Sequence, residues 1–484
     1  MMTANPGVYR FRIWTAVLCL AAACFAQQQG QAPTSAQPKG ITAATEKDRG
    51  QVLAELGSAQ KAFAGKKGDS EARFRLARLL FQAGYFQKAE TCVGPLADSA
   101  NPTKDALFLA ADVQYLMGRY EKAEALLNRV MALNPSDIPS FAKAQTKLAF
   151  VYYQTNQYAK SAGLFKGLEG KIRLPLWDLM KSFGADQPLV IDWPENLKQT
   201  ILPFLVTDPL PIISVELQGR QVYALIDTGA DTFVLDNEVA ASLGLKPVTA
   251  MQGTFAGGKQ AEVGFGRAES LKLGDVALRQ VPISILPTTQ FSRGFAEGRY
   301  TISAILGTGI LKQFLSTLDY PHARLVLRRA GAGGLDDMRR EWKGRKTVEI
   351  PFVLALSHLM LASGRLNEKD GLVFFVDSGL ASQAAFGAPA ETLKYAGIPI
   401  PETKVHEGDI GGGGGGGFAT GEFPIQKLGL GPLVQDHKTG DYGSVPPGSY
   451  WRLGFITDGL ISHQFLRRYA WTIDFSRMTM IFVL

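Results

Sequence analysis

Histidine and cysteine are scarce in this chain, with five and three among 484 residues. The histidines (322, 358, 406, 437 and 463) are scattered, with no His-x-x-x-His pair and no cysteine partners, so no zinc site is expected. No Gly-x-Ser-x-Gly elbow occurs, which removes that nucleophilic-serine signature. Seven consecutive glycines, 411–417, are not followed by Gly-Lys-Ser/Thr and so do not form a phosphate loop. Basic residues are dispersed without aromatic interleaving, and a net charge of +7 is modest for this length, so no nucleic-acid partner is expected. Cys19 and Cys24 lie in the N-terminal segment. Cys92, alone in the remainder, leaves no internal disulfide there and is expected as a buried small apolar residue of a helix.

What is present is globular in composition: 46% hydrophobic and 20% charged. The length exceeds what one core usually organises, so two to four domains are expected. Arg10 and Arg12 precede an apolar stretch from Ile13 to Ala23, and small residues follow to Ala26. That order predicts a signal peptide over 1–26 and export, to the periplasm or outside the cell. Leu20-Ala21-Ala22-Ala23-Cys24 is loosely similar to a bacterial lipoprotein site, but alanine stands three before the cysteine where leucine is usual, which ranks anchoring below simple export. Residues 27–45, rich in Gln, Pro, Ala and Ser, predict a disordered tether.

From 46 to 170 apolar residues recur at three- and four-residue spacing, which predicts helices. The segment repeats itself. Gly84-Tyr85-Phe86-Gln87-Lys88-Ala89-Glu90 returns as Gly118-Arg119-Tyr120-Glu121-Lys122-Ala123-Glu124, 34 residues on, and again as Asn156-Gln157-Tyr158-Ala159-Lys160-Ser161-Ala162. This pattern resembles tetratricopeptide repeats, and the resemblance implies an array that binds a peptide or protein partner on its concave face. Residues 171–206 read as a connector. Thereafter short β-rich runs with glycine turns divide at 331–345, taken as a linker, into halves spanning 207–330 and 346–484.

Each half carries a carboxylate at the end of an apolar run. Val222 to Ile226 leads into Asp227-Thr228-Gly229-Ala230, and Val373 to Val376 leads into Asp377-Ser378-Gly379, an offset of 150 (377 minus 227). Ser270 to Asp275 is matched by Gln426 to Gly431. Ser303-Ala304-Ile305-Leu306-Gly307 through Asp319-Tyr320 lies over Asp458-Gly459-Leu460-Ile461-Ser462 through Asp474-Phe475, at an offset of 155 (474 minus 319). The halves therefore read as a tandem duplication, with a net insertion of five residues for which the glycine run is the obvious place. On these residues the region resembles retropepsin-like aspartic proteases, with two halves in one polypeptide as in the pepsin arrangement. The implied fold class is an all-α helical-repeat array followed by two all-β lobes forming a pepsin-like bilobal unit.

Two close carboxylates cannot both ionise cheaply, so one keeps its proton. The ionised member takes a proton from an attacking water and the protonated one donates to the peptide carbonyl. Asp227 and Asp377 are the expected catalytic residues. The hydroxyls of Thr228 and Ser378 are expected to bond across the dyad, while Gly229 and Gly379 permit the turns. The resemblance also implies a covering flap, for which Thr254, Phe255, Ala256 and Gly257 are the candidates. Asp319 and Asp474 are expected to make structural hydrogen bonds at turns. The second half departs from the family pattern at Leu380, at Ser462 in the place of Gly307, and in its glycine run. The reading is an exported aspartic endopeptidase acting on a protein or peptide, as a monomer, without metal or cofactor. The alternative is a non-catalytic peptide-binding or scaffold protein with degenerate lobes. A third arrangement pairs the first lobe with its copy in another chain.

Overall fold

Residues 47–165, 174–255, 260–289, 292, 299–381, 383–405, 419–446 and 448–484 are described by the computed structural model of the protein. The signal and tether segments, flap candidates Ala256 and Gly257, the glycine run and His406 lie outside these residues, as does the side chain of Thr254. Among the described residues no helix is long and apolar enough to cross a membrane.

The periodic region forms helices α1 (Arg49–Gly65), α2 (Ser70–Gln82), α3 (Phe86–Ala97), α4 (Lys104–Leu116), α5 (Tyr120–Leu133) and α6 (Ile138–Gln154), then a 3₁₀ turn at Tyr158–Gly163. Side chains of Asp48, Asp69, Thr103 and Asp137 cap the N-termini of α1, α2, α4 and α6, satisfying amides that lack a partner within the helix. The repeated turn has one geometry three times. Gly84, Gly118 and Asn156 adopt φ of +83°, +72° and +56°. The next amide reaches back in each case, Tyr85 to Leu80 (2.8 Å), Arg119 to Gln114 (2.9 Å) and Gln157 to Tyr152 (2.8 Å). This left-handed cap explains the small residue at that point of the repeat. Ala89, Ala123 and Ser161, which follow at matched positions, are buried. Cys92 is only half-buried, against expectation, because it falls beside the apolar stripe of α3.

The connector does more than link. It forms α7 (Pro175–Ser182), β1 (Val190–Asp192) and β2 (Gln199–Pro203). The first lobe follows with β3 (Ile212–Leu217), β4 (Arg220–Ile226), β5 (Phe233–Leu235), α8 (Asn237–Ser242), β6 (Thr249–Thr254), β7 (Gln260–Leu273), β8 (Val276–Ile285), β9 (Ile302–Leu306), α9 (Thr308–Leu311), β10 (Phe314–Asp319) and β11 (Arg324–Arg329). Next comes α10 (Ala332–Glu341) in the stretch expected as a linker. Leu335 and Met338 of α10, with Trp342, bury against Leu315 and Ile481, so the segment packs on the lobes. The second lobe comprises β12 (Thr347–Ala355), β13 (Leu359–Leu366), β14 (Lys369–Val376), β15 (Phe386–Ala388), α11 (Ala390–Ala396), β16 (Gly421–Leu430), β17 (Leu433–Tyr442), β18 (Gly459–Ile461), α12 (His463–Leu466), β19 (Ala470–Asp474) and β20 (Thr479–Val483).

Each lobe closes a six-stranded ring. The order is β8-β5-β9-β4-β3-β7 with β7 returning to β8 in the first, and β17-β15-β18-β14-β13-β16 with β16 returning to β17 in the second. Closure removes the free strand edges that an open sheet would expose. In both rings the strand bearing the aspartate turn runs parallel to its partner near the end of the lobe, β4 to β9 and β14 to β18. Strands β12-β20-β19-β10-β11-β2 form a third sheet that both lobes share. At its centre Thr317 faces Thr472, their hydroxyls 2.7 Å apart. These residues are equivalent under the 155-residue offset, so a pseudo-twofold axis passes between them.

The duplication is thus present in three dimensions, with two corrections. The matched hairpins align Leu273 with Leu430, since Leu273 pairs with Val276 and Leu430 with Leu433 across the turn. That offset of 157 (430 minus 273) is one more than the sequence match implied. It keeps Leu271 and Leu273 on the same buried face as Leu428 and Leu430, which a one-residue slip would reverse. The insertion is also not confined to the glycine region. The offset is already 153 at β5 and β15 (386 minus 233), so three residues enter directly after the second aspartate turn.

Candidate active site

Strands β4 and β14 deliver Asp227 and Asp377 to the axis, where the two turns lock together by reciprocal bonds. The Thr228 amide donates to Ser378 Oγ at 3.0 Å, and the Ser378 amide donates to Thr228 Oγ1 at 2.9 Å. Thr228 Oγ1 donates in turn to the Val376 carbonyl at 2.9 Å. A hydroxyl that accepts from one backbone and donates to another holds both turns at once.

Each carboxylate accepts the amide two residues on, Gly229 to Asp227 Oδ1 at 2.7 Å and Gly379 to Asp377 Oδ1 at 2.8 Å. The glycines are required by the neighbour across the axis. A Cβ on Gly229 would lie 2.8 Å from Asp377 Oδ1, and one on Gly379 would overlap the Asp227 carboxylate. Both aspartates are buried. Burial pushes both carboxyls above the ordinary range, and the charge of Asp227 raises Asp377 further. Amide bonds to Asp227 act in the opposite sense. The pair therefore titrates as a unit biased towards sharing a proton.

Gly307 and Ser462 begin α9 and α12 beneath the two turns with nearly the same backbone, φ −89° and −94°. A Cβ at 307 would run into the carbonyl oxygens of Thr232 and Ala230. At 462 the serine fits. Its hydroxyl donates to the Ala384 carbonyl at 2.6 Å and accepts the Gln464 amide at 3.2 Å, capping α12. The three residues added after the second aspartate turn reroute that carbonyl into a hydrogen-bonding position. Leu380 is buried in the apolar core beside Ala381.

Of the flap candidates, Phe255 follows β6 and is fully buried. Thr254 ends that strand. Helix α7 packs on β6 and β7, with Thr249 Oγ1 3.3 Å from Asp178 Oδ2. Asp319 and Asp474 make the expected turn bonds. Asp319 accepts the His322 amide at 3.3 Å and Asp474 accepts those of Ser476 at 3.1 Å and Arg477 at 3.2 Å. Among the described residues no group of three or more His, Cys, Asp or Glu is placed to hold a metal ion.

Sequence reasoning missed a polar cluster at the edge of the first turn. Asp231, four residues past Asp227, accepts the hydroxyl of Tyr153 from α6 at 3.2 Å, and both side chains are buried. Gln154 donates to the Leu356 carbonyl of the second lobe at 3.0 Å and accepts from Lys312 at 2.6 Å. Desolvation draws the Lys312 ammonium down to about 8, with Asp231 opposing. Asp231 stood inside the quoted motif, but nothing local in sequence names a partner 78 residues away.

Residues 213–310 match a family model described as aspartyl protease. Among solved structures, a retropepsin-like aspartic protease from Rickettsia conorii is similar at 15% identity, covering 29% of this chain and 94% of that one, with a TM-score of 0.20. A search of curated proteins finds no match. The family match falls on the first lobe and includes its aspartate turn. Over that lobe the chain is similar to aspartyl proteases.

Proposed function

We propose that this chain hydrolyses peptide bonds with Asp227 and Asp377 as an intramolecular dyad. The observation that carries the reading is the reciprocal Thr228–Ser378 bonding, which sets two buried carboxylates against each other. With one proton between them, the ionised carboxylate accepts a proton from water as that water attacks the scissile carbonyl. The protonated carboxylate donates to the carbonyl oxygen, giving a tetrahedral diol. The carboxyl that now holds the water's proton gives it to the leaving nitrogen while the other carboxylate takes a proton from a diol hydroxyl. The C–N bond breaks, acid and amine are released, and the pair again shares one proton. Burial strengthens these charge interactions by excluding water.

The residues are complete for this chemistry within one chain, which favours the monomeric dyad. Ser462 and Leu380 are the motives for the non-catalytic alternative. The serine is accommodated as a helix cap and Leu380 is buried in the apolar core, which supports the catalytic reading. Export, read from the pattern around Arg10 to Ala26, and recruitment of a protein by the helical array belong to the same proposal and rest on sequence pattern. The test is cleavage of a peptide library by the purified chain across acid to neutral pH, with and without a statine-type inhibitor. Inhibitor-sensitive cleavage supports the dyad. A folded chain that neither cleaves nor binds the inhibitor overturns it.

A further inference from the structure

The pseudo-twofold axis relates the two ends of any extended peptide that crosses the dyad, so its ends should meet equivalent surfaces. They do not. On one flank the helical array is fastened from the shared sheet up to β6. At the base, the Gly118 turn sits on Met478, with an ideal Cβ only 3.0 Å from its Cγ and Sδ. Higher up, Tyr153 bonds Asp231 at 3.2 Å, Asn156 bonds Gln313 at 3.0 Å and Gln154 bonds both Lys312 and Leu356. At the top, α7 lies on β6 and β7.

At the points equivalent to Met478 and Lys312 on the other flank, the described partners belong to the lobes and not to the array. The twin of Met478 is Ala323 (478 minus 155), with the same φ of +49° and the same bond to a neighbouring strand, Ala323 O to Phe204 N at 2.8 Å and Met478 O to Phe352 N at 2.9 Å. Met478 is buried under the array, whereas its twin Ala323 is partly exposed. The twin of Lys312 is Arg467 (312 plus 155), which pairs with Asp208 at 2.5 Å, their side chains 39% and 49% exposed. Lys312, by contrast, reaches Gln154 of the array at 2.6 Å.

We propose that the helical array is an end-wall of the substrate groove. It stops an extended peptide at Asp231 on one side of the dyad and leaves the other side open. Substrates are then polypeptides cleaved near one terminus, the wall fixing how few residues can lie on its side of the scissile bond. This rests on the proposed dyad chemistry.

The experiment takes a short peptide that the full chain cleaves and lengthens it with Gly-Ser units at the amino or the carboxyl end. The expected result is strongly one-sided. Lengthening one end leaves kcat/KM within a small factor, and lengthening the other lowers it more than about tenfold. Tyr153→Ala, checked for folding by near-ultraviolet circular dichroism, is expected to relax the limit on the same side. Equal tolerance of both extensions overturns the end-wall while the dyad reading stands. Retention of the full limit by a folded Tyr153→Ala variant assigns the limit elsewhere and also overturns it. If no peptide is cleaved and a statine-type peptide does not bind, the dyad reading fails and the end-wall falls with it.

Discussion

The two lobes share a ring order, an aspartate turn and a supporting helix, yet they differ at two equivalent points under the turns. Position 307 is glycine because two carbonyls leave no room for a Cβ, while position 462 is serine because the longer turn above it supplies a hydrogen-bond acceptor. Ser303 of the first lobe corresponds to Asp458 of the second (303 plus 155). Asp458 is fully buried and held by the guanidinium of Arg49, which arrives from α1 of the array, through Nε at 2.8 Å and through Nη2. The comparison teaches that a duplicated scaffold diverges where something new presses on one copy. A length change made room at 462, and the helical array brought a cation to 458.

The most severe way to break the symmetry is at the dyad. Asp227→Asn is expected to lower peptide hydrolysis by at least about a hundredfold, the lower range of acid–base contributions, with the fold retained. Assay of purified variant and parent on one peptide checks it, and parental turnover would remove Asp227 from the chemistry.

Arg49→Met leaves the Asp458 carboxylate buried without its cation and should cost about 3–5 kcal/mol. Adding Asp458→Ser, which installs the residue of the first lobe, should recover a large part of that loss. Urea unfolding of the single and double variants decides, and a double variant no better than the single would refute the account of position 458.

Exchanging the residues under the turns sharpens the comparison further. Gly307→Ser forces backbone to shift and should destabilise by about 1–3 kcal/mol. Ser462→Gly loses a capping hydroxyl and should cost about 1 kcal/mol or less. Equal losses in chemical denaturation would mean that the longer second turn does not relieve crowding.

The smallest effect is one of pH. Both dyad carboxyls are raised in the folded state, so the native chain holds protons that the unfolded chain releases. Their contribution to stability is full below the ordinary carboxylate pKa, about 4, and is lost as pH rises through the higher folded values. Asp377→Asn removes that loss from one group, so thermal unfolding of the variant should decline less between acid and neutral pH. Parallel curves would count against the raised pair.

Much of this was legible beforehand because it rests on local geometry. The aspartate turns, Thr228, Ser378 and their glycines announce themselves by an apolar strand running into a tight turn. The helical repeat does so by residues that tolerate positive φ at Gly84, Gly118 and Asn156. What escaped depends on partners far apart in the chain. The strand pairing of β1 and β2, the meeting of Tyr153 with Asp231 and the burial of Arg49 have no local pattern to betray them. The one-residue slip at Leu430 was legible in the Leu-x-Leu-Gly that recurs at 271–274 and 428–431, whereas the place of the three inserted residues has no local pattern to mark it.

The connector strands carry a last consequence. β1 pairs with β8 of the first lobe and β2 with β11 of the shared sheet, so they belong to the lobes. The helices ahead of them are held by Arg49, Tyr153, Gln154 and a continuous apolar core. Chain continuity and attachment are therefore separate matters in this protein. A protease nick between Leu164 and Pro175 should give two bands on a denaturing gel and one undivided peak on a sizing column.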